Sequence, residues 1–78
     1  MKVTAYFRSL SRRPDRAQIT QEWIERVIAS PVRETMQQDG RIRLWAPIVE
    51  MDGRNLRVIL LADRETVHNA FFDRSFKP

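Results

Sequence analysis

The stretch RIRLWAPIVEMDGRNLRVIL (residues 41–60) decides the fold. Two runs in which apolar residues recur at every second position flank the dipeptide Asp52-Gly53. Asp-Gly readily adopts the positive φ angles of a type I′ turn, whose twist matches that of a two-residue hairpin. Strands joined by so tight a turn must run antiparallel. Asp39-Gly40 repeats the signal one strand earlier, and Asp63-Arg64-Glu65 marks a third turn one strand later. The expected strands cover residues 32–38, 41–50, 55–62 and 66–72, a four-stranded meander.

The first thirty residues read differently. Thr20 suits a helix N-cap, with Gln21 and Glu22 in the first turn. Ile19, Trp23, Val27 and Ile24, Ile28 then recur at helical spacing, until Ser30-Pro31 pushes the backbone out of the α region. Upstream, residues 5–12 suit a helix with Tyr6, Phe7 and Leu10 on one side. The alternation of Val3, Ala5 and Phe7 suits a short strand equally, and both readings stand. The fold class is therefore α+β in one domain, with residues 1–30 mainly helical and residues 31–76 forming the meander.

Composition narrows the chemistry. A chain of 78 residues buries roughly 60–65% of the surface it exposes when unfolded, so its core is thin and a large cofactor pocket is disfavoured. No cysteine is present, which excludes disulfides, thiolate metal sites and cysteine nucleophiles. His68 is the only histidine, too few for a histidine-rich metal site. No metal or other cofactor is expected. No apolar run approaches the ~20 residues of a membrane span, and Met1-Lys2-Val3 opens no signal-type segment, so a soluble, cytoplasmic protein without membrane contact is expected. The net charge is +4, and all fourteen basic residues except Lys2 and Lys77 are arginine. Arginine's planar fork suits phosphate and stacks on bases, which makes a polyanion a natural partner.

A two-residue turn at Asp52-Gly53 would pair Val49 with Leu56, Pro47 with Val58 and Trp45 with Leu60. That register places Trp45, Pro47, Val49, Leu56, Val58 and Leu60 on the face that the Trp23 helix covers, with Val32 and Met36 beside them. The other face would carry Leu44, Ala46, Ile48, Ile59 and Leu61, with Arg57 and His68 among them. Such a face is too apolar for solvent and is expected to be covered by the N-terminal segment, a second copy or a partner protein. A one-residue slip in the last hairpin would carry His68 to the helix side.

Histidine exchanges protons near neutrality, and RNA cleavage by 2′-hydroxyl attack needs an acid, a base and cations at the phosphate. The candidate catalytic residues are accordingly His68 and Arg57, and Arg16, Arg74 and Arg43 are the candidate phosphate-binding residues. Tyr6 and Phe76 are the aromatics best suited to stack on bases. The chain carries no Gly-rich phosphate loop, nucleophile elbow or His-Glu metal motif.

The segment ITQEWIERVIASP (residues 19–31) resembles the I-x-x-E-x-I-x-x-V-x-x-x-P helix of the RelE/BrnT-like small toxin group. DGRNLRVILLADRETVHNAFF (residues 52–72) is similar to that group's G-R-x-L-R-V-V … T-x-Y strand pair. The resemblance spans about residues 13–72 and rests mostly on apolar patterning. It implies a bacterial toxin–antitoxin ribonuclease neutralised by an antitoxin-like protein, with His68, Arg57 and Arg16 at positions that match catalytic groups. The chain departs from the group in its near absence of lysine and in ending the last strand with NAFFDRSF in place of a basic tail.

Two functional expectations follow. The first is a toxin-like basic protein that binds RNA or cleaves it without a metal. The second is a non-enzymatic interaction module that forms a homodimer or binds a partner through the second sheet face.

Overall fold

Thr4 and Thr20 each start a helix in the same way. In the computed structural model, which describes residues 1–78, Thr4 Oγ1 accepts the Phe7 N–H at 3.0 Å and Thr20 Oγ1 the Trp23 N–H at 3.1 Å. Each hydroxyl satisfies an amide that the first helical turn would leave unpaired. Helix α1 spans Ala5–Leu10 and α2 spans Gln21–Ala29. Of the two readings of the N-terminal segment the helix is the one realised, since Ala5 and Phe7 lie within α1. Of the strand only an isolated parallel bridge from Val3 to Val67 is present, just before α1 begins.

The meander follows as β1 (Arg33–Met36), β2 (Ile42–Ile48), β3 (Arg54–Leu60) and β4 (Val67–Phe72), antiparallel throughout and adjacent in chain order. This is the expected α+β architecture, with strands shorter than the sequence suggested.

The register differs from expectation, and the reason is the turns. Asp52 and Gly53 do hold positive φ, at 57° and 75°. Val49–Met51, however, winds into a 3-10 turn and leaves the ladder, so Ile48 pairs with Arg54, Ala46 with Leu56 and Trp45 with Arg57. Two contacts favour that winding. Met51 packs on the core, and Glu50 takes both ends of the Arg26 guanidinium from α2 at 2.8 and 3.0 Å. The first hairpin also shifts, since Gln37 bonds to Arg41 around a three-residue turn that has Gly40 at φ 88°. A shift by an odd number of residues exchanges the two faces of one strand relative to its neighbour.

The covered face therefore holds Ile42, Leu44, Ala46 and Ile48 from β2, Leu56, Val58 and Leu60 from β3, and Val67 and Ala70 from β4, all buried. Phe7, Ile24 and Val27 of the helices complete this core. Full burial of each large aliphatic side chain contributes about 1.5–3 kcal/mol, and no polar or charged residue is buried among them. Of the apolar surface on which a homodimer was expected, Leu44, Ala46 and Ile48 are thus part of the core, while Ile59 and Arg57 stay on the opposite face. Trp45 and Pro47, expected beneath α2, lie on the opposite face.

A last irregularity concerns β4. The ladder shifts between Leu60, which pairs with Val67, and Ile59, which pairs with Asn69. His68 is the extra residue of this bulge. A bulge sets two residues of one strand against one of its neighbour and so shifts the in–out alternation by one, which explains how Val67 and Ala70, three positions apart, both reach the core.

Candidate functional site

On the outer face, cross-strand pairing aligns Arg33 with Trp45, Trp45 with Arg57, and Arg57 with Phe71. The result is a row across all four strands that alternates cation and aromatic ring. The Arg57 guanidinium carbon stands 5.4 Å from the Trp45 ring centre and 5.2 Å from that of Phe71. Beyond the row, Arg16 reaches from the loop between the helices to the far side of Phe71, at 5.4 Å. Such contacts lie within the range at which a ring quadrupole attracts a cation. The next row carries Thr35, Arg43, Ile59 and Asn69.

The segment after β4 crosses this face. The Asp73 carboxylate accepts the Trp45 indole N–H at 3.0 Å and pairs with Arg57 at 3.6 Å. Hydrogen bonds from the Ser75 hydroxyl and then the Trp45 indole hold that carboxyl below its ordinary range, and partial burial opposes them. Phe76 stacks on Trp45 with centroids 4.9 Å apart and planes 9° from parallel.

Two clefts lie on either side of this segment. One, of about 470 Å³, is lined by Arg33, Arg43, Arg57 and Lys77 against the single carboxylate of Asp73, with Trp45 among its walls. The other, of about 650 Å³, brings Arg16, Arg54 and Arg74 together with Asp15 and Asp73 around Asn55 and Phe71. Four buried side-chain polar atoms have no hydrogen-bond partner within the protein: Thr35 Oγ1, Arg43 Nε, Asn55 Oδ1 and Arg57 Nε. Register places all four residues on the outer face. A buried polar atom left unpaired costs about 1–3 kcal/mol, so their concentration on one surface calls for a functional reason. No three His, Asp or Glu side chains converge as metal ligands.

The sequence-predicted residues divide accordingly. Arg43 and Arg57 share the smaller cleft, while Arg16 and Arg74 share the larger. Arg16 is engaged already, donating from Nη1 to Asn69 Oδ1 at 2.9 Å and to the Ala70 carbonyl at 3.0 Å, which ties the interhelix loop to β4. His68 lines neither cleft. Its ring stacks on Tyr6 at 5.0 Å, and Nδ1 lies 3.1 Å from Thr4 Oγ1. Burial, then the Arg41 charge, lowers its pKa, and Asp39 opposes that shift. The expected grouping of His68 with Arg57 on one face is therefore replaced by two separate environments, because the bulge turns the imidazole toward the N-terminal segment. Tyr6, expected to stack on bases, packs on His68, whereas Phe76 lies on the outer face.

Sequence reasoning missed Arg33, Thr35 and Trp45 as outer-face residues. The signal was present: Ile42, Leu44, Ala46 and Ile48 form an unbroken apolar set at period two, which leaves Arg43 and Trp45 to point outward. No family model matches the chain, and searches of curated proteins and of solved structures return no significant match.

Proposed function

We propose that the outer sheet face binds single-stranded RNA, with Arg43, Arg57 and Arg33 on phosphates and the aromatic row as a stacking platform. The observation that carries this reading is the unpaired, buried Nε–H of Arg43 and of Arg57, on one face beside Trp45. Guanidinium N–H groups favour charged oxygen acceptors, and aromatic rings interleaved with cations accept bases with little sequence preference. Four cations against one carboxylate in the smaller cleft support the same reading.

A cleaving role for His68 draws no support from this arrangement, since the ring lies outside both clefts. The toxin–antitoxin setting implied by the resemblance likewise gains nothing from the comparisons, which return no relative.

The test is anisotropy of a fluorescein-labelled twelve-nucleotide oligouridylate titrated at several salt concentrations. Affinity is expected to fall steeply with salt. Arg43→Ala is expected to weaken binding and to flatten the log–log salt slope by about 0.7, the value for one contact to a single strand. An unchanged slope in Arg43→Ala, or no binding at low salt, overturns the reading.

A further inference from the structure

Residues 73–76 fold back over the centre of the face just described. The Asp73 N–H donates to the Asn55 carbonyl at 2.9 Å, the last bond of the β3–β4 ladder, and the chain then turns onto the outer face. From there the Asp73 carboxylate reaches Trp45 and Arg57, and the Phe76 ring lies flat on Trp45. The Arg33 guanidinium stands 5.1 Å above Phe76, which completes a stack of indole, ring and cation. An oxyanion on an arginine, and a planar ring stacked on tryptophan beside a second arginine, are the contacts by which proteins hold a phosphate and an unpaired base.

We propose that residues 73–76 are a built-in mimic of the RNA ligand, with Asp73 in the place of a phosphate and Phe76 in the place of a base. The inference rests on the RNA-binding reading above and adds to it a competition: ligand and segment occupy the same subsites in turn.

Three further features fit a displaceable segment. Strand β4 ends at Phe72, and its last bond to β3 is the one from the Asp73 N–H, so nothing of the ladder holds residues 74–76. Arg74, Ser75 and Lys77 are exposed, so little holds the segment apart from Asp73 and Phe76. Asp73 and Phe76 also line both clefts, so they form the wall between them. Lifting the wall joins the clefts into one groove running past Arg33, Trp45, Arg57 and Asn55, on the scale of several nucleotides. A face that is open only part of the time binds with an affinity reduced by the open fraction.

The experiment compares the parent with Phe76→Ala, using the same oligouridylate, and follows amide hydrogen exchange of residues 74–77 in the unaltered protein with and without it. Phe76→Ala is expected to bind about fivefold tighter, since a stacked ring no longer competes. Exchange in residues 74–77 is expected to rise on binding. If the parent binds with a steep salt dependence while Phe76→Ala binds no tighter, or if exchange falls on binding, the segment is part of the platform and the mimic is overturned alone. If neither protein binds at low salt, the RNA reading fails first and the mimic falls with it.

Discussion

Leu44, Val58 and Ala70 lie side by side across β2, β3 and β4, and so, in the adjacent row, do their sequence neighbours Trp45, Arg57 and Phe71. The two rows belong to the same strands and differ in what holds them together. The first is apolar and closed under the helices, and its attraction is non-directional and scales with area removed from water. The second is bound by guanidinium–ring contacts and a carboxylate, which depend on orientation and leave Arg57 Nε unpaired, as are three more polar atoms elsewhere on the same face. Apolar burial is thus concentrated on one side of the sheet and unpaired polar groups on the other, and adjacent residues in the sequence point to opposite sides.

The strongest way to break this contrast uses neighbours. Leu56 is fully buried, with 0% of its surface exposed, and Leu56→Ala is expected to cost about 2–5 kcal/mol. Arg57→Ala, one position on, removes the two ring contacts and the pair with Asp73, while Ser75 and Trp45 continue to hold that carboxylate. A loss of about 1 kcal/mol is expected there. Urea unfolding followed by circular dichroism measures both. Equal losses in the two variants would show that the outer row is as structural as the core.

The same contrast explains what the sequence disclosed. Helix α2 was legible because it has its own start signal in Thr20 and its own stop at Ser30-Pro31, whereas α1, whose cap at Thr4 was not read, stayed open between helix and strand. The meander was legible from three turn signals and period-two strands. Facing was not, because a turn rule fixes register only when the loop has the expected length. Val49–Met51 look like strand residues, yet they leave the ladder for contacts with Arg26 and the core that only the folded helix provides. The bulge at His68 escaped for a similar reason, since nothing local distinguishes Val67-His68-Asn69 from a regular strand. The candidate site was partly legible: Arg43 and Arg57 were identified from residue type, while Arg33 and Trp45 needed the correct register to join them.

Register itself can be probed at the first hairpin. Gly40 holds φ 88°, a left-handed conformation, and a Cβ added there would sit 3.6 Å from the Ala62 Cβ, an ordinary contact. Gly40→Ala is therefore expected to cost about 1–2 kcal/mol, the backbone strain of an L side chain in that region. Crowding adds nothing to it. Because this turn decides that Arg33 and Thr35 point outward with Trp45 and Arg43, the variant is also expected to weaken oligonucleotide binding in proportion to its unfolding. A loss of binding in a variant that stays fully folded would mean that the hairpin contributes to the ligand directly.

The smallest effect is expected at His68, which belongs to neither row. Its folded-state pKa lies below the ordinary value, through burial and the facing Arg41 charge, with Asp39 opposing and Tyr6 and Thr4 on the ring. A neutral ring accepts the Thr4 hydroxyl proton at Nδ1, and protonation removes that contact. The unfolded chain then binds the proton more readily than the folded one, so stability is flat above about pH 6.5 and declines as pH falls through the lowered pKa. The carboxylates that shift most, Glu50 and Asp63, are held at about 2 by Arg26 and by Thr66 respectively. Their contribution is lost only as pH falls below about 4.5, which leaves the window between about pH 6.5 and 5 to the imidazole. His68→Gln, which keeps an amide facing Thr4 but does not titrate there, is expected to abolish the decline in that window and leave the acid limb below it in place. If the parent shows no decline between these values, the ring is solvated and carries no strain in its charged form. If His68→Gln retains the decline, the titrating group lies elsewhere, and the covered face, which buries no ionisable residue, is not where it would be found.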